Sequence, residues 1–327
     1  MNKLLKLLLV AVLALGGLSA GAVAQAQDND AEDDISSETE QSGSSASGDA
    51  VGGLVVGVVS SGDTSVDATN HSEDVDIETG DAFAENDLEQ EVGQDNDGGG
   101  AGDNELEDGE ISSDVAQAAT STSGDGVGGA VIGVVTSAGG SADVVAANTS
   151  EDVDIETGES VAFNFLDADV GQGAFNTGDN DAEDDISLEA AQTASASTGD
   201  GVGGMVLGIV SAGDASVDAT NESTDVDVST GDAYTENDAE LEVGQENLSG
   251  GDSNWDDGEI SADVAQDAAS SSGDAVAGTV AGVVTSAGGS ADLVLANTSE
   301  DVDAETGDSE FVNELEEFVG QQISGDG

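Results

Sequence analysis

The chain repeats one long unit four times, and this repetition limits its fold more than any other feature. The strings "GDAVGGLVVGVV", "GDGVGGAVIGVV", "GDGVGGMVLGIV" and "GDAVAGTVAGVV" begin at Gly48, Gly124, Gly199 and Gly273, which lie 76, 75 and 74 residues apart. Tandem repetition of this kind is typical of solenoids and arrays, in which each unit buries its apolar face on its neighbour.

We divide the chain into a leader and four modules. Residues 1–26 carry Lys3 and Lys6 before an apolar run that ends in small residues, the pattern of a secretory signal peptide. The modules that follow are residues 27–103, 104–178, 179–252 and 253–327. The sequence therefore predicts a secreted protein, extracellular or held at the cell surface, with no segment inserted in a membrane.

The modules alternate between two versions. The first and third contain "SVDATNHSEDVDIETGD" and "SVDATNESTDVDVSTGD", whereas the second and fourth contain "SADVVAANTSEDVDIETGE" and "SADLVLANTSEDVDAETGD". The interval from the apolar stretch to the next Asn alternates as well, being 11 residues from Val59 to Asn70 and 13 from Val135 to Asn148. The sequence thus indicates duplication of a unit that was already duplicated.

Side chains within each module alternate with a period of two, which predicts strands. In residues 185–197, for example, Ile186, Leu188 and Ala190 share one face, and a second alternating segment spans residues 82–94. Turn sequences such as Thr-Gly-Asp separate these segments. We therefore predict an all-β fold, a repetitive β-solenoid built as a stacked strand-turn-strand array of four modules of about 75 residues.

The apolar stretch carries valine and glycine on one of its faces, at Val51, Gly53, Val55, Gly57 and Val59 in the first module. Its other face is also apolar. A strand that is apolar on both faces is usually buried on both, and glycine in a strand marks the close approach of another backbone. We therefore expect this to be the central strand of each module, with close packing at glycines such as Gly129 and Gly133.

Amide side chains recur at matching positions, and we expect those of the closing strands to form hydrogen-bonded ladders between rungs. Those of the opening strands are Gln41, Gln117, Gln192 and Gln266. Those of the closing strands are Asn86, Gln94, Asn164, Gln172, Asn237, Gln245, Asn313 and Gln321. In these recurrences the chain resembles the curlin-type and related functional-amyloid repeat proteins, although its modules are longer and more acidic. The resemblance implies a secreted fibre of stacked strand-turn-strand units.

The charge of the chain narrows the choice of partners. It has 72 acidic residues, and its only basic residues are Lys3 and Lys6, so loss of residues 1–26 changes the net charge from −70 to −72, because −70 − 2 = −72. Nucleic acids and anionic lipids bind basic surfaces, which excludes both as partners. We expect cations and further copies of the chain as partners, with the copies associating head to tail or laterally.

Stacked acids need cations around them. Like charges about 4.8 Å apart on neighbouring strands repel by roughly 0.9 kcal/mol per pair in water. High Na⁺ or K⁺, as around a halophile, would screen this repulsion, and Ca²⁺ would bridge the carboxylates; the sequence requires no other cofactor. The repeated link "DNDAEDD" offers calcium ligands at Asp28, Asp30, Glu32, Asp179, Asp181 and Glu183. The competing interpretation is a diffusely solvated acidic face.

An Asn-x-Ser sequence occurs at the same place in every module, at Asn70, Asn148, Asn221 and Asn297. The motif is an acceptor for glycosylation in exported proteins. An Asn side chain that caps a turn explains the same recurrence, and we favour that interpretation because the leader has a prokaryotic pattern.

The residue types argue against an enzyme. The chain has no Cys and one His, so catalysis would depend on carboxylates and hydroxyls alone. We expect a non-enzymatic structural protein that self-associates into an extracellular fibre or surface matrix with an acidic, cation-laden exterior. The alternative is a monomeric Ca²⁺-binding or adhesive surface module.

Overall fold

Each module makes one rung of a parallel β-solenoid. The computed structural model describes residues 34–96, 104–106, 110–176, 180–182, 185–249, 253–255, 259–286 and 288–323. Ile111 pairs with Ile35 on one side and Ile186 on the other, and Ile186 pairs in turn with Ile260. The predicted all-β solenoid is therefore confirmed, while the predicted signal peptide lies outside the described residues. None of the described residues forms a helix long and apolar enough to span a bilayer.

The strands are numbered in chain order, and all their pairings are parallel. Rung 1 contains β1 (Ile35–Ala46), β2 (Ala50–Val51), β3 (Leu54–Ser60), β4 (Thr64–Glu78) and β5 (Ala82–Asn96). Rung 2 contains β6 (Asn104–Leu106), β7 (Glu110–Thr122), β8 (Gly126–Val127), β9 (Ala130–Thr136), β10 (Ala142–Glu156) and β11 (Ser160–Asn176). Rung 3 contains β12 (Asn180–Ala182), β13 (Asp185–Ser197), β14 (Gly201–Val202), β15 (Met205–Ser211), β16 (Ala215–Ser229) and β17 (Ala233–Ser249). Rung 4 contains β18 (Ser253–Trp255), β19 (Ile260–Ser271), β20 (Ala275–Val276), β21 (Thr279–Thr285), β22 (Ala291–Glu305) and β23 (Ser309–Ile323).

Corresponding strands stack into six sheets that run along the solenoid axis. We name them sheet A (β1, β7, β13, β19), sheet B (β2, β8, β14, β20), sheet C (β3, β9, β15, β21), sheet D (β4, β10, β16, β22), sheet E (β5, β11, β17, β23) and sheet F (β6, β12, β18). Sheet A faces sheet E, and sheets B and C face sheet D.

The core between the facing sheets is narrow and apolar. Between sheets C and D it contains Ile132 and Leu207 packed against Val144, and between sheets A and E it contains Ile186 and Leu241. The alternation predicted from sequence places these residues inward and the acids outward. No Asp or Glu side chain is buried among the described residues, because a buried carboxylate without a cationic partner would be costly.

The outer face of sheet C differs from the prediction. Its inward residues, such as Ile132, are buried, but the valine row faces solvent, with Val55 55% exposed and Val59 85% exposed. The expectation of a central strand buried on both faces is therefore wrong, because no second layer among the described residues covers sheet C. Close packing is correct at Gly129, where a Cβ would overlap the Gly204 carbonyl, and wrong at Gly133, whose nearest neighbour would be Val56 O at 4.0 Å.

A stacked bulge interrupts every strand of sheet D. Asp74, Asp152, Asp225 and Asp301 have φ angles of 54°, 55°, 55° and 51°, in the left-handed region that Asp tolerates better than most residues. The extra residue resets the alternation, so that Ser72 and Val75 both point inward although they lie three apart. The bulge therefore turns one column of acids outward along the whole solenoid.

Candidate functional site

The acidic turns are hydrogen-bonded from rung to rung. The backbone N–H of Asp125 donates to Asp49 Oδ1 at 3.1 Å, and Asp200 N–H donates to Asp125 Oδ1 at 2.9 Å. Asp274 N–H continues the series to Asp200 Oδ1 at 2.9 Å. These carboxylates therefore satisfy backbone donors of the next rung, which explains why an Asp follows Gly in each of these turns.

The Thr-Gly-Asp or Thr-Gly-Glu turn works in the same way. Gly158 N–H donates to Thr79 Oγ1 at 2.9 Å, and Glu159 N–H donates to Asp81 Oδ1 at 3.0 Å. Burial and the nearby charge of Asp81 hold the pKa of the Glu159 carboxyl above its usual value. The two kinds of turn thus use hydroxyl and carboxylate oxygens to join successive rungs.

Two columns of amide side chains lie in register between sheets A and E, and the Asn column is the one predicted to form a ladder. Asn86 Nδ2 donates to Asn164 Oδ1 at 2.8 Å, and the series continues through Asn237 to Asn313 at 2.8 and 2.9 Å. In the opposite direction, a second series descends from Gln266 through Gln192 and Gln117 to Gln41, at 2.8, 2.9 and 3.0 Å. The steps between rungs 2 and 3 each satisfy one buried donor and one buried acceptor, which favours in-register stacking over any shifted pairing.

The other predicted ladder positions are only partly described. Gln172 and Gln245 are buried and pair in register on neighbouring strands of sheet E. The side chains of Gln94 and Gln321 lie outside the described part, although their backbones pair with Gln172 and Gln245.

The Asn-x-Ser sequences form a third ladder, and the prediction of an Asn-capped turn is wrong. Asn70 lies within β4, and Asn148 and Asn221 lie within β10 and β16. Asn148 Nδ2 donates to Asn221 Oδ1 at 2.8 Å and to Ser150 Oγ at 3.0 Å. Because residues two apart share a face in a strand, the Ser of the motif accepts the second amide hydrogen.

This third ladder also argues against glycosylation of the two internal members. Asn148 and Asn221 are each 1% exposed, and both of their Nδ2 groups donate to neighbouring side chains. A glycan on Nδ2 has no space in such a stack. The signal that could have revealed this ladder was the identical place of Asn in four modules that pair in register.

The calcium ligands predicted in the links are not brought together in the described part of the chain. Asp28, Asp30 and Glu32 lie outside the described residues, as do Asp179 and Glu183. Asp181 is placed only by its backbone, which pairs with Glu105 and Asn254 in sheet F.

A different acidic cluster lies on the outer face of sheet E. Glu236, Asp238 and Glu314 each offer a carboxylate oxygen, and the three oxygens lie within 4.8 Å of one another. Tyr234 donates its hydroxyl hydrogen to Glu236 Oε2 at 2.9 Å, and burial together with this bond raises the pKa of Tyr234 to about 12. Such a set of oxygens suits Ca²⁺. Sequence reasoning missed it because Asp238 and Glu314 meet only through the register of β17 with β23.

The aspartates of the sheet D bulge form a second acidic feature. Asp225, Asp227, Asp301 and Asp303 line a shallow groove between rungs 3 and 4. In the same column, a hydrogen bond that the protonated Asp152 carboxyl donates to the neighbouring Asp74 carboxylate, together with the charge of Asp74, raises the pKa of Asp152. Stacking beside Asp74 therefore favours the protonated form of Asp152.

Aromatic side chains partly cover the acids of sheet E. Phe163 packs on Phe83 at a ring-centroid distance of 5.7 Å and on Tyr234 at 5.4 Å, both edge to face. Burial and the charge of Asp87 raise the pKa of Glu85 on this surface. The aromatic groups thus pack across rungs within one chain.

The C-terminal rung exposes side chains that are buried in the rungs before it. Leu293 is 39% exposed and Leu295 is 46% exposed, whereas Val217 and Ala219, their register partners in rung 3, are at most 2% exposed. In β23 the corresponding exposed residues are Phe311, Leu315 and Val319. Rung 4 therefore offers an apolar surface together with the unpaired strand edges of its sheets.

Comparison with known proteins identifies no relative. No family model matches the chain, and no curated protein or solved structure matches it significantly.

Proposed function

We propose that this chain is a secreted, non-enzymatic structural protein that self-associates into an extracellular fibre or surface matrix. The observation that carries the proposal is the surface of rung 4, where inward-facing residues such as Leu293, Leu295 and Phe311 are exposed. A solenoid end of this kind is a template for further strands, since unpaired edges and uncovered apolar rows both favour association.

The acidic exterior supports an assembly that is hydrated and rich in cations. Acids stack in register on sheet D, where Asp154 pairs with Asp76 and Asp227, and on sheet E, where Asp167 pairs with Glu89 and Glu240. Repulsion between such columns keeps chains apart at low salt, and added salt weakens this repulsion by shortening the Debye length. Salt would therefore control both folding and association.

Assembly can be tested by varying protein concentration at low salt, in molar NaCl and in millimolar CaCl₂. Negative-stain microscopy and light scattering should show filaments or a network above a threshold concentration, with a β signal in the far-UV circular dichroism. A chain that stays monomeric and folded at every concentration and salt condition would contradict the proposal.

The second candidate function is a monomeric Ca²⁺-binding or adhesive surface module. The observation that favours it is the cluster of Glu236, Asp238 and Glu314. Calcium titration by calorimetry should then show a saturable site that Glu314→Gln removes and that Glu316→Gln, a variant in the same strand, retains. Equal heats from both variants would indicate diffuse screening rather than a specific site.

A further inference from the structure

The two ends of the solenoid are complementary because each rung is staggered. Strands of sheet D pack against the turns of the next rung: Ser72 Oγ donates to Gly128 O at 2.7 Å, and Thr79 Oγ1 donates to Gly124 O at 3.0 Å. Likewise, β5 contacts both β1 and β7, whereas β23 contacts β19. In rung 4, sheets D and E therefore project beyond sheets A to C, and in rung 1 sheets A to C project in the opposite direction.

We infer that the C-terminal rung of one copy stacks in register on the N-terminal rung of a second copy. In this junction β19 to β23 pair with β1 to β5 of the second copy, so that the solenoid continues across the boundary without a change of rung type. The inference rests on the proposed function and specifies its contact: which ends meet, in which direction and in which register.

The strongest support is that the same junction already exists inside the chain. Because the modules alternate, a second copy's rung 1 would follow rung 4 as rung 3 follows rung 2. In the internal junction Ile111 pairs with Ile186, Gln117 with Gln192, Asn148 with Asn221 and Asn164 with Asn237. The counterparts across copies are Ile260 with Ile35, Gln266 with Gln41, Asn297 with Asn70 and Asn313 with Asn86, which are identical residue types.

The turn between sheets C and D supports the same alternation. Between rungs 2 and 3, Ala212 N–H donates to Thr136 Oγ1 at 3.2 Å, and Ser211 Oγ donates to Gly140 O at 3.1 Å. The longer turn of an even rung is thus hydrogen-bonded to the shorter turn of the odd rung that follows it. Across copies the corresponding groups are Thr285 and Gly289 of rung 4 and Ser60 and Ser61 of rung 1, again with hydroxyls at the two bonding positions.

Glycines at the ends provide an independent observation. A Cβ on Gly53, Gly129 or Gly204 would overlap a backbone carbonyl of the next rung. Gly278 closes this column, and a Cβ there would meet only Asn297 Nδ2, at 3.9 Å. The fold of one chain therefore leaves room for a side chain at Gly278, whereas a stacked second copy would not.

A second glycine column gives the same result at the other end. A Cβ on Gly124, Gly199 or Gly273 would overlap a carbonyl of the preceding rung, but a Cβ on Gly48 would have no atom of the described residues within 4 Å. The N-terminal member of this column thus also keeps a glycine that only a neighbouring copy would require. Gly278 therefore lies on the rung 4 side of the proposed junction, and Gly48 lies on its rung 1 side.

One charged residue faces the junction. Glu317 pairs with Leu241 of β17 and so occupies an inward position, in the column that begins with Gln90. Gln90 Nε2 donates one hydrogen to Ser37 Oγ at 2.6 Å, and an amide nitrogen carries two. The second hydrogen can be donated to the Glu317 carboxylate of the preceding copy, which would satisfy the acid on burial.

Alanine substitutions at the two end glycines should weaken the junction between copies without affecting the folding of the single chain. We expect Gly278→Ala and Gly48→Ala of the secreted chain to fold as the wild type does, and to raise the threshold concentration for filaments by about tenfold or more, because the added methyl overpacks the junction. The matched controls are Gly282→Ala and Gly57→Ala, in the same rungs, where a Cβ would have no atom within 4 Å. The controls should assemble at the wild-type threshold.

The other outcomes identify which proposal fails. Wild-type thresholds for Gly278→Ala and Gly48→Ala would overturn the end-to-end junction while leaving a structural fibre intact. Loss of assembly in the Gly282→Ala control alone would indicate that copies meet through the outer face of sheet C. That result would also overturn the end-to-end junction. Absence of assembly in the wild type would remove the proposed function itself.

Cysteine pairs test the register directly, since the chain has no Cys of its own. Ser44 and Ala269 are outward residues at the two ends of one column, linked through Thr120 and Ser195. Within one chain they are three rungs apart, roughly 14 Å, which is too far for a disulfide, whereas register partners are close enough. Ser44→Cys with Ala269→Cys should therefore yield a ladder of disulfide-linked multimers under oxidation.

The matched control shifts one cysteine by two residues on the same face. Ser42→Cys with Ala269→Cys should cross-link far less, because Ala269 is the register counterpart of Ser44. Equal yields, or a preference for the Ser42 pair, would overturn the proposed register. Filaments in which neither pair cross-links would show that rung 4 is covered by something other than rung 1 of another copy.

Discussion

Rungs 3 and 4 share several inward residues but differ in what covers them. Asn221 and Asn297 occupy the same position in one ladder, yet Asn221 is buried and Asn297 is exposed. Val217 and Leu293 show the same contrast. Burial in this fold is therefore a property of adjacent rungs, and stability should be close to a sum of nearest-neighbour interfaces. Among the described residues, an end rung has only one of the two interfaces that an interior rung has.

The largest effect should come from the glycines of the internal interfaces. Gly129→Val places a side chain against the Gly204 carbonyl, so we expect it to lower the free energy of unfolding by about 3 kcal/mol or more and to disrupt the stacking of rungs 2 and 3. Urea unfolding followed by circular dichroism, in high salt, measures the change. The control is Gly133→Val, which lies in the same rung, points to solvent and should be nearly neutral. Equal destabilisation by both would contradict the stacking shown here.

The next largest loss of unfolding free energy should come from truncating a buried isoleucine, and a half-buried isoleucine in the same column gives the comparison. Ile186 lies in rung 3 with paired neighbours on both sides, whereas Ile260 lies in rung 4 with one. We expect Ile186→Ala to cost about 2–5 kcal/mol and Ile260→Ala about half as much. Unfolding is best measured below the threshold concentration for assembly. Above that threshold, the proposed junction would bring the two costs closer together.

A smaller effect should separate two members of the Asn-x-Ser ladder. Asn221→Ala leaves the Asn148 donor without its acceptor inside the core, at a cost of about 1–3 kcal/mol. Asn297→Ala affects groups that water can reach, so it should cost well under about 1 kcal/mol. Thermal unfolding of the two variants gives the comparison. A larger loss for Asn297→Ala would mean that rung 4 is already covered in the single chain.

The rungs were predictable from the repeat, because four matching modules bury their apolar faces by stacking on one another. Alternation then placed Ile186 and Leu241 inward, and the recurrence of Asn86 predicted one of the amide ladders. These inferences needed only the period along the chain and the pairing of equal positions.

The wrong predictions concern what lies beside a strand rather than the strand itself. The valine row around Val55 is apolar, but composition cannot tell whether a second layer covers it, and in this chain none does among the described residues. Asn148 matched a turn motif by its neighbours in sequence, whereas its partners are Asn70 and Asn221, one rung away on either side. Likewise, the Glu236, Asp238 and Glu314 cluster exists only through register.

The smallest effect is the response to pH, which tests the internal rungs because two shifted groups belong to rung 2. The pKa of Asp152 is raised by its hydrogen bond with Asp74, and that of Glu159 by burial and the charges of Asp81 and Asp232. A raised carboxyl pKa means that the folded chain binds a proton more tightly than the unfolded chain does. The stabilisation is therefore fully present below the ordinary values of 3.8 and 4.5, and is lost as the pH rises through the raised ones.

Acidification from neutral pH should accordingly stabilise this chain before it destabilises it. Asp214 has the opposite sign, because hydrogen bonds from the Ser290 N–H and hydroxyl lower its pKa, and its contribution is lost only as the pH falls below 3.8. We expect the urea midpoint to rise between neutral pH and a pH near 4.5, the ordinary value for Glu159, and Glu159→Gln to reduce that rise. Glu189→Gln, on the outer face of sheet A, is the control. A midpoint that falls steadily with acidification would show that the stacked carboxyls do not govern the stability of the internal rungs.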